Sequence, residues 1–246
     1  MDGAQGVGLQ VTASDRVLSE NAWRPTVVDP AKNIVSSVEG LSARRIDDFD
    51  ALIITKTAPG FDQAAVDALR LLVVEAAAGR LGVLKFLVFD FAHEGFPLSI
   101  GAEGFTSLVA EVETLILAAP IVSIACARAN LAGADLEFAL ACSMTIGEAD
   151  KRFSFAADVT VSVGTYGLLA QKIGFVRAER LMETGEIISA AQMDELMLLK
   201  EVLDTGGGHE GLDAFVGRVT RRYNASYGIY RAQRMAMRPV HASLRA

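Results

Sequence analysis

Residues 83–91 read V-L-K-F-L-V-F-D-F, a run that is apolar on both faces when extended. A strand of that kind belongs in the middle of a sheet covered by helices on both sides. The run over 121–127 and the shorter one over 51–55 share this character. The segments between them have helical spacing. Across 63–78, Val66, Leu69, Val73 and Ala77 recur at helical intervals, Asp62 stands where it can cap the helix, and Gly79 stands where it can close it. Further helices are predicted over 105–118 and over about 134–142, each next to one of the apolar strands. Strands alternating with helices imply an α/β fold with a parallel sheet and right-handed crossovers. After Asp150 the pattern is mainly helical, over 164–169, 177–183, 190–199 and 211–238. The first 45 residues have weak periodicity and several turn-forming pairs, and are expected to be irregular.

With 246 residues and 51% hydrophobic content, the chain can bury one large core. The longest uncharged run near its centre, 114–127, is interrupted by Pro120 and is shorter than the ~20 residues a membrane-spanning helix needs. The opening residues M-D-G-A-Q-G-V-G put an acid where a secretory signal is basic, so a cytoplasmic protein is expected. Cys126 and Cys142 both sit in apolar runs and read as reduced core residues. A net charge of −7 argues against nucleic acid or an anionic membrane as partner. Seven arginines, Arg218, Arg221, Arg222, Arg231, Arg234, Arg238 and Arg245, nevertheless crowd the C-terminal end. They fit either the solvated face of amphipathic helices or a contact with a polyanion.

Chemistry is suggested by residues 119–143, A-P-I-V-S-I-A-C-A-R-A-N-L-A-G-A-D-L-E-F-A-L-A-C-S. Here a buried strand ends in a turn of small residues and a helix begins. The first N–H groups of a helix lack intrahelical partners, so such a turn is a candidate anion or oxyanion site. No Gly-x-Ser-x-Gly elbow and no phosphate-binding P-loop occurs in the sequence.

Pro120-Ile121-Val122, the turn at Gly133-Ala134, the helix Leu136-Glu137-Phe138-Ala139-Leu140-Ala141-Cys142, then Phe153, Gly164 and Gly167 together resemble the crotonase (enoyl-CoA hydratase/isomerase) superfamily. The most specific piece is R-A-E-R-L-M-E-T-G-E-I-I-S-A-A over 177–191, where Ser189 and Gln192 have the spacing of a capping box. The resemblance covers about residue 51 to the C-terminal helices. It implies a crotonase-like α/β fold of repeated β-β-α units with a C-terminal helical region. The implied division is an irregular segment 1–45, a core 46–200 and a helical trimerisation region 201–246.

The resemblance also implies an acyl-CoA thioester substrate, no cofactor beyond the coenzyme A of that substrate, and assembly as a homotrimer or dimer of trimers. In the family two backbone N–H groups hold the thioester oxygen. Residue by residue, one donor falls on Ala134, preceded by Gly133, where Ala132-Gly133-Ala134 keeps one glycine of the family's run of three. The other falls on Glu94 or Gly95, in a loop reading A-H-E-G-F where relatives carry Ser-Ala-Gly-any-Asp. His93 and Tyr166 are placed at the substrate pocket. Counting back from Cys142 puts the catalytic acid at Glu137, and counting forward from Pro120 puts it at Asp135. Asp158 stands next to the position of the hydratases' second acid. The leading expectation is hydration or isomerisation through a thioester enolate. The alternative is a scaffold or activator subunit that keeps the fold without the chemistry, for which the thinned glycine run and altered loop speak.

Overall fold

The structure, a computed structural model, describes residues 29–59, 62–94, 103–155 and 163–243. Nine helices and nine strands are built from these residues. The chain opens with α1 (Pro30–Val35), β1 (Leu41–Ile46), a 3₁₀ turn (Asp47–Phe49), β2 (Ala51–Lys56), α2 (Gln63–Ala77), β3 (Phe86–Phe91) and α3 (Glu103–Ala118). It continues through β4 (Val122–Ala127), β5 (Leu131–Ala132), α4 (Gly133–Ala141), β6 (Met144–Glu148), β7 (Arg152–Ser154), α5 (Val163–Ile173) and α6 (Phe175–Thr184). The last elements are β8 (Ile187–Ser189), α7 (Ala190–Glu195), β9 (Glu201–Leu203), α8 (Gly208–Thr220) and α9 (Tyr223–Ser243).

The main sheet has the order β1-β2-β3-β4-β6-β9. All its pairings are parallel except β1 with β2. A small sheet of order β5-β7-β8 brackets the turn before α4. The central strands are apolar on both faces because both faces are covered. Leu52, Ile54, Leu87, Phe89, Ala125 and Ala127 pack toward α2, α3 and α4. The alternate residues Ile53, Phe86, Val88, Ile124 and Ile146 pack toward Leu212, Phe215 and Val216 of α8. Among the described residues, no helix is long and apolar enough to cross a membrane.

Local signals act where the sequence places them. The Asp62 carboxylate accepts from the Ala65 N–H at 2.7 Å, capping α2. The capping box of α7 is complete: the Gln192 N–H donates to Ser189 Oγ and the Ser189 N–H donates to Gln192 Oε1. Ser189→Ala is expected to cost about 1 kcal/mol, read as a lowered urea midpoint at unchanged slope.

Four expectations need correction. The segment read as irregular contains α1 and β1 within residues 30–46. Strand β1, L-S-A-R-R-I, is an edge strand whose mixed polar residues hide the alternation, and it pairs antiparallel with β2 from Leu41↔Lys56 to Ile46↔Ala51. The strand over 83–91 starts only at Phe86, because Gly82 turns the chain with φ +80° and Val83 is exposed. The helix expected over 190–199 stops at Glu195, since the chain turns at Met197 (φ 59°) to bury Leu198 and Leu199. The long segment 211–238 is two helices. The turn at residues 221–222 lets Phe215 of α8 and Tyr223 of α9 pack on the same cluster, with the Tyr223 ring edge-on to Phe86 at 5.3 Å.

Candidate functional site

The helix α4 is unusual in being buried on every side, with all nine residues shielded from solvent. Its sequence G-A-D-L-E-F-A-L-A carries two carboxylates into that interior, Asp135 and Glu137. The residue before it, Ala132, is extended and has no side-chain oxygen to cap the first turn. Gly133 has φ +55°, a conformation in which an L side chain is strained, and it aims the chain so that Ala134 enters the first turn. The turn is pinned by β5, where Leu131 pairs with Phe153 and Ala132 with Ser154.

The segment after β3 is brought alongside this turn and tied to it by side chains. The Asn130 Nδ2 donates to Glu94 Oε1 at 2.6 Å, while its Oδ1 accepts from the Arg152 N–H at 2.9 Å. The Lys56 Nζ, from the end of β2, donates to the His93 carbonyl at 3.3 Å and to Asp135 Oδ2 at 2.8 Å. Lys56 thus bridges the two backbone segments expected to carry the donor N–H groups. Its side chain and that of Asp135 are 3% and 2% exposed, so this is a buried ion pair. Burial pushes the Asp135 carboxyl up to about 6, against the opposing pull of the Lys56 charge.

The expected site residues divide accordingly. Ala134, Gly133 and Glu137 lie at the start and in the first half of α4, and Glu137 is buried. His93 is exposed, and its Nδ1 lies 3.3 Å from the Glu94 carbonyl. Glu94 is also exposed and held by Asn130. Tyr166 stands on α5 against the main core. Gly95 and Asp158 lie outside the described residues. Asp135, the position reached by counting forward from Pro120, is the partner of Lys56.

Sequence reasoning passed over Lys56, Asn130, Asp90 and Arg128. The signal for two of them was a charge closing an apolar strand, A-L-I-I-T-K and F-L-V-F-D-F. Asp90 points to the opposite face of the sheet. There Arg128 donates to both its oxygens at 2.6 and 2.5 Å, and the Thr55 hydroxyl donates at 2.9 Å. The acceptors of this buried carboxylate are thereby satisfied, which makes the cluster a brace under α8. Among the described residues, no group of His, Cys, Asp and Glu is arranged to hold a metal ion. Cys126 and Cys142 are buried, and burial drives the Cys126 thiol far above its usual range, which keeps it unreactive.

Compared by sequence, the chain matches no protein-family model and no curated protein. Compared by structure, it is similar to DspI of Pseudomonas aeruginosa with a TM-score of 0.66 and 21% identity, over 78% of this chain and 79% of that one. An enoyl-CoA hydratase from Mycobacterium avium subsp. paratuberculosis K-10 gives a TM-score of 0.68 at 18% identity, over 84% and 91%. An enoyl-CoA hydratase from Bacillus halodurans gives 0.68 at 15% identity, over 84% and 89%. The fold is therefore that of the crotonase-type enoyl-CoA hydratases. This chain carries it in a divergent sequence.

Proposed function

We propose that the start of α4 and the segment 93–95 hold the carbonyl oxygen of an acyl-CoA thioester, and that Glu137 moves the proton in a hydration or isomerisation through the enolate. The observation that carries this reading is the joining of the two segments. Lys56 reaches both the His93 carbonyl and the Asp135 carboxylate, so the segments that carry Ala134 and Glu94 belong to one braced unit. Preorganised donors of this kind are effective because they need no reorganisation as charge develops, and loss of one costs ~100- to 1000-fold in rate. Lys56 has a second effect. A carboxylate at Asp135, one residue from the Ala134 donor, would oppose an oxyanion, and the adjacent ammonium offsets that field. Asp158 is proposed as the second carboxylate, and His93 and Tyr166 as walls of the acyl pocket. The assembly is proposed to be a homotrimer or a pair of trimers in the cytoplasm. The exposed Arg221, Arg222 and Arg231 are proposed to face the CoA phosphates, whereas Arg218 is engaged by Glu201.

A second reading, a crotonase-fold scaffold without turnover, is favoured by the thinned glycine run, in which Ala132-Gly133-Ala134 keeps one glycine, and by the buried Lys56–Asp135 pair beside it. The two readings separate in a thermal-shift series with CoA, acetyl-CoA and short, medium and aromatic enoyl-CoAs. A ligand at 100 times its Kd stabilises by ~2.7 kcal/mol. A larger shift with enoyl thioesters than with CoA supports the thioester site. No shift from a well-folded oligomer selects the scaffold.

Gly133→Ala supplies a further check. A Cβ at φ +55° is expected to cost about 1 kcal/mol in stability. It also turns the following N–H away, so the advantage of enoyl thioester over free CoA is expected to shrink in the same thermal-shift series.

A further inference from the structure

We infer that a cavity at the far end of α4 is a second binding site, built for an amphiphilic carboxylate such as a free fatty acid, with the acyl chain on its floor and the anionic head at Lys172 and Lys200. The cavity measures about 450 Å³, within the range of small-molecule sites. It is bounded by Ala141, Cys142 and Ser143, at the opposite end of the helix from Gly133 and Ala134. At 1.5 Å per residue, the nine residues of α4 separate the two ends by roughly 12 Å.

The lining is divided by polarity. Leu117, Cys142, Met144, Leu198 and Leu199 are each less than a tenth exposed and form an apolar floor. Lys172, Lys200, Tyr230 and Gln233 are more open to solvent and form the rim. Charge complementarity identifies the ligand. In a chain with 30 acidic and 23 basic residues, the described lining contains two lysines and neither Asp nor Glu. The rim is held in place. The Lys172 Nζ lies 3.4 Å from the Cys142 carbonyl at the end of α4, and the Lys200 N–H donates to the Thr145 carbonyl at 2.7 Å. The Tyr230 hydroxyl, neutral at neutral pH as in any tyrosine and pushed further from ionisation by partial burial, is a donor to an anion. An apolar chain alone would favour any alkyl ligand. The two ammonium groups restrict the choice to one ending in an anion.

Decanoate and decanol, with the same alkyl chain and different heads, are the probes. Their binding to the full chain is measured by thermal shift and calorimetry, beside the variant Lys172→Met/Lys200→Met. Decanoate is expected to stabilise the wild type more than decanol, and to bind the double variant about tenfold more weakly. Lys172→Met also removes the contact with the Cys142 carbonyl, so the unliganded melting temperature is expected to fall slightly, and binding is compared well below it. Decanoate is also expected to bind alongside an acyl-CoA. Equal effects of decanoate and decanol, no response to decanoate, or full decanoate affinity in the double variant would each overturn the site. Competition between decanoate and acyl-CoA would assign the cavity to the thioester site. A decanoate response present only in dilute monomer and lost in a sedimenting oligomer would make it a subunit contact.

Discussion

Lys56→Met and Asp135→Leu, introduced singly, are each expected to lower stability by about 3–5 kcal/mol, while the double variant is expected to be close to wild type or more stable. Both side chains are almost fully buried and 2.8 Å apart, so removing one leaves the other charge in the interior without its counter-ion. Replacing both removes two desolvation penalties at once, which apolar contacts with Ile54, Phe91 and Phe138 nearby can compensate. Urea denaturation of the four proteins gives the coupling energy directly, and additive single effects would contradict the pair.

The pH dependence of this pair has a definite sign. The Asp135 carboxyl is raised to about 6 in the folded protein, against about 3.9 in an unfolded chain. Between those values the folded state holds a proton that the unfolded state has lost, so the Asp135 contribution makes stability rise as pH falls from about 6 to about 4. The double variant is expected to lose this component, measured as a flatter difference in unfolding free energy over that window.

Much of this architecture is visible in residue patterns because the covering layers impose them. F-L-V-F-D-F is apolar at successive positions since α8 takes one face and α2, α3 and α4 the other. The capping residues Asp62 and Ser189 act within three residues of themselves, so their effect is local and readable. Strand β1 is less readable, because an edge strand gets its partner from β2 and needs no apolar second face. The site divides along the same line. Gly133, Ala134 and Glu137 lie in one short segment, where spacing to Cys142 locates them. Lys56 and Asp135 are 79 residues apart in sequence. Nothing in either local pattern announces the other, and only the parallel packing of β2 beside β3 brings the lysine to the start of α4.

Glu137→Gln is expected to reduce turnover by about 100- to 10,000-fold on the enoyl-CoA that gives the largest thermal shift, while leaving the shift itself unchanged. The amide keeps the size of the carboxyl within a helix buried on all sides, so no cavity is opened. What it removes is the ability to accept and return a proton. KM is expected to change little and kcat to carry the loss, because the backbone donors that bind the thioester are untouched. Asp135→Asn provides the contrast. It preserves shape but withdraws the charge facing Lys56, so its main effect is expected in stability, with kcat measured well below its melting temperature reduced less than in Glu137→Gln. If Asp135→Asn abolishes turnover and Glu137→Gln does not, proton transfer belongs to the Lys56–Asp135 pair, and the register counted forward from Pro120 is the correct one. If the wild type shows a thioester-dependent shift but no turnover on any enoyl-CoA, the fold holds its ligand without transforming it, and the carboxylates of α4 serve structure alone.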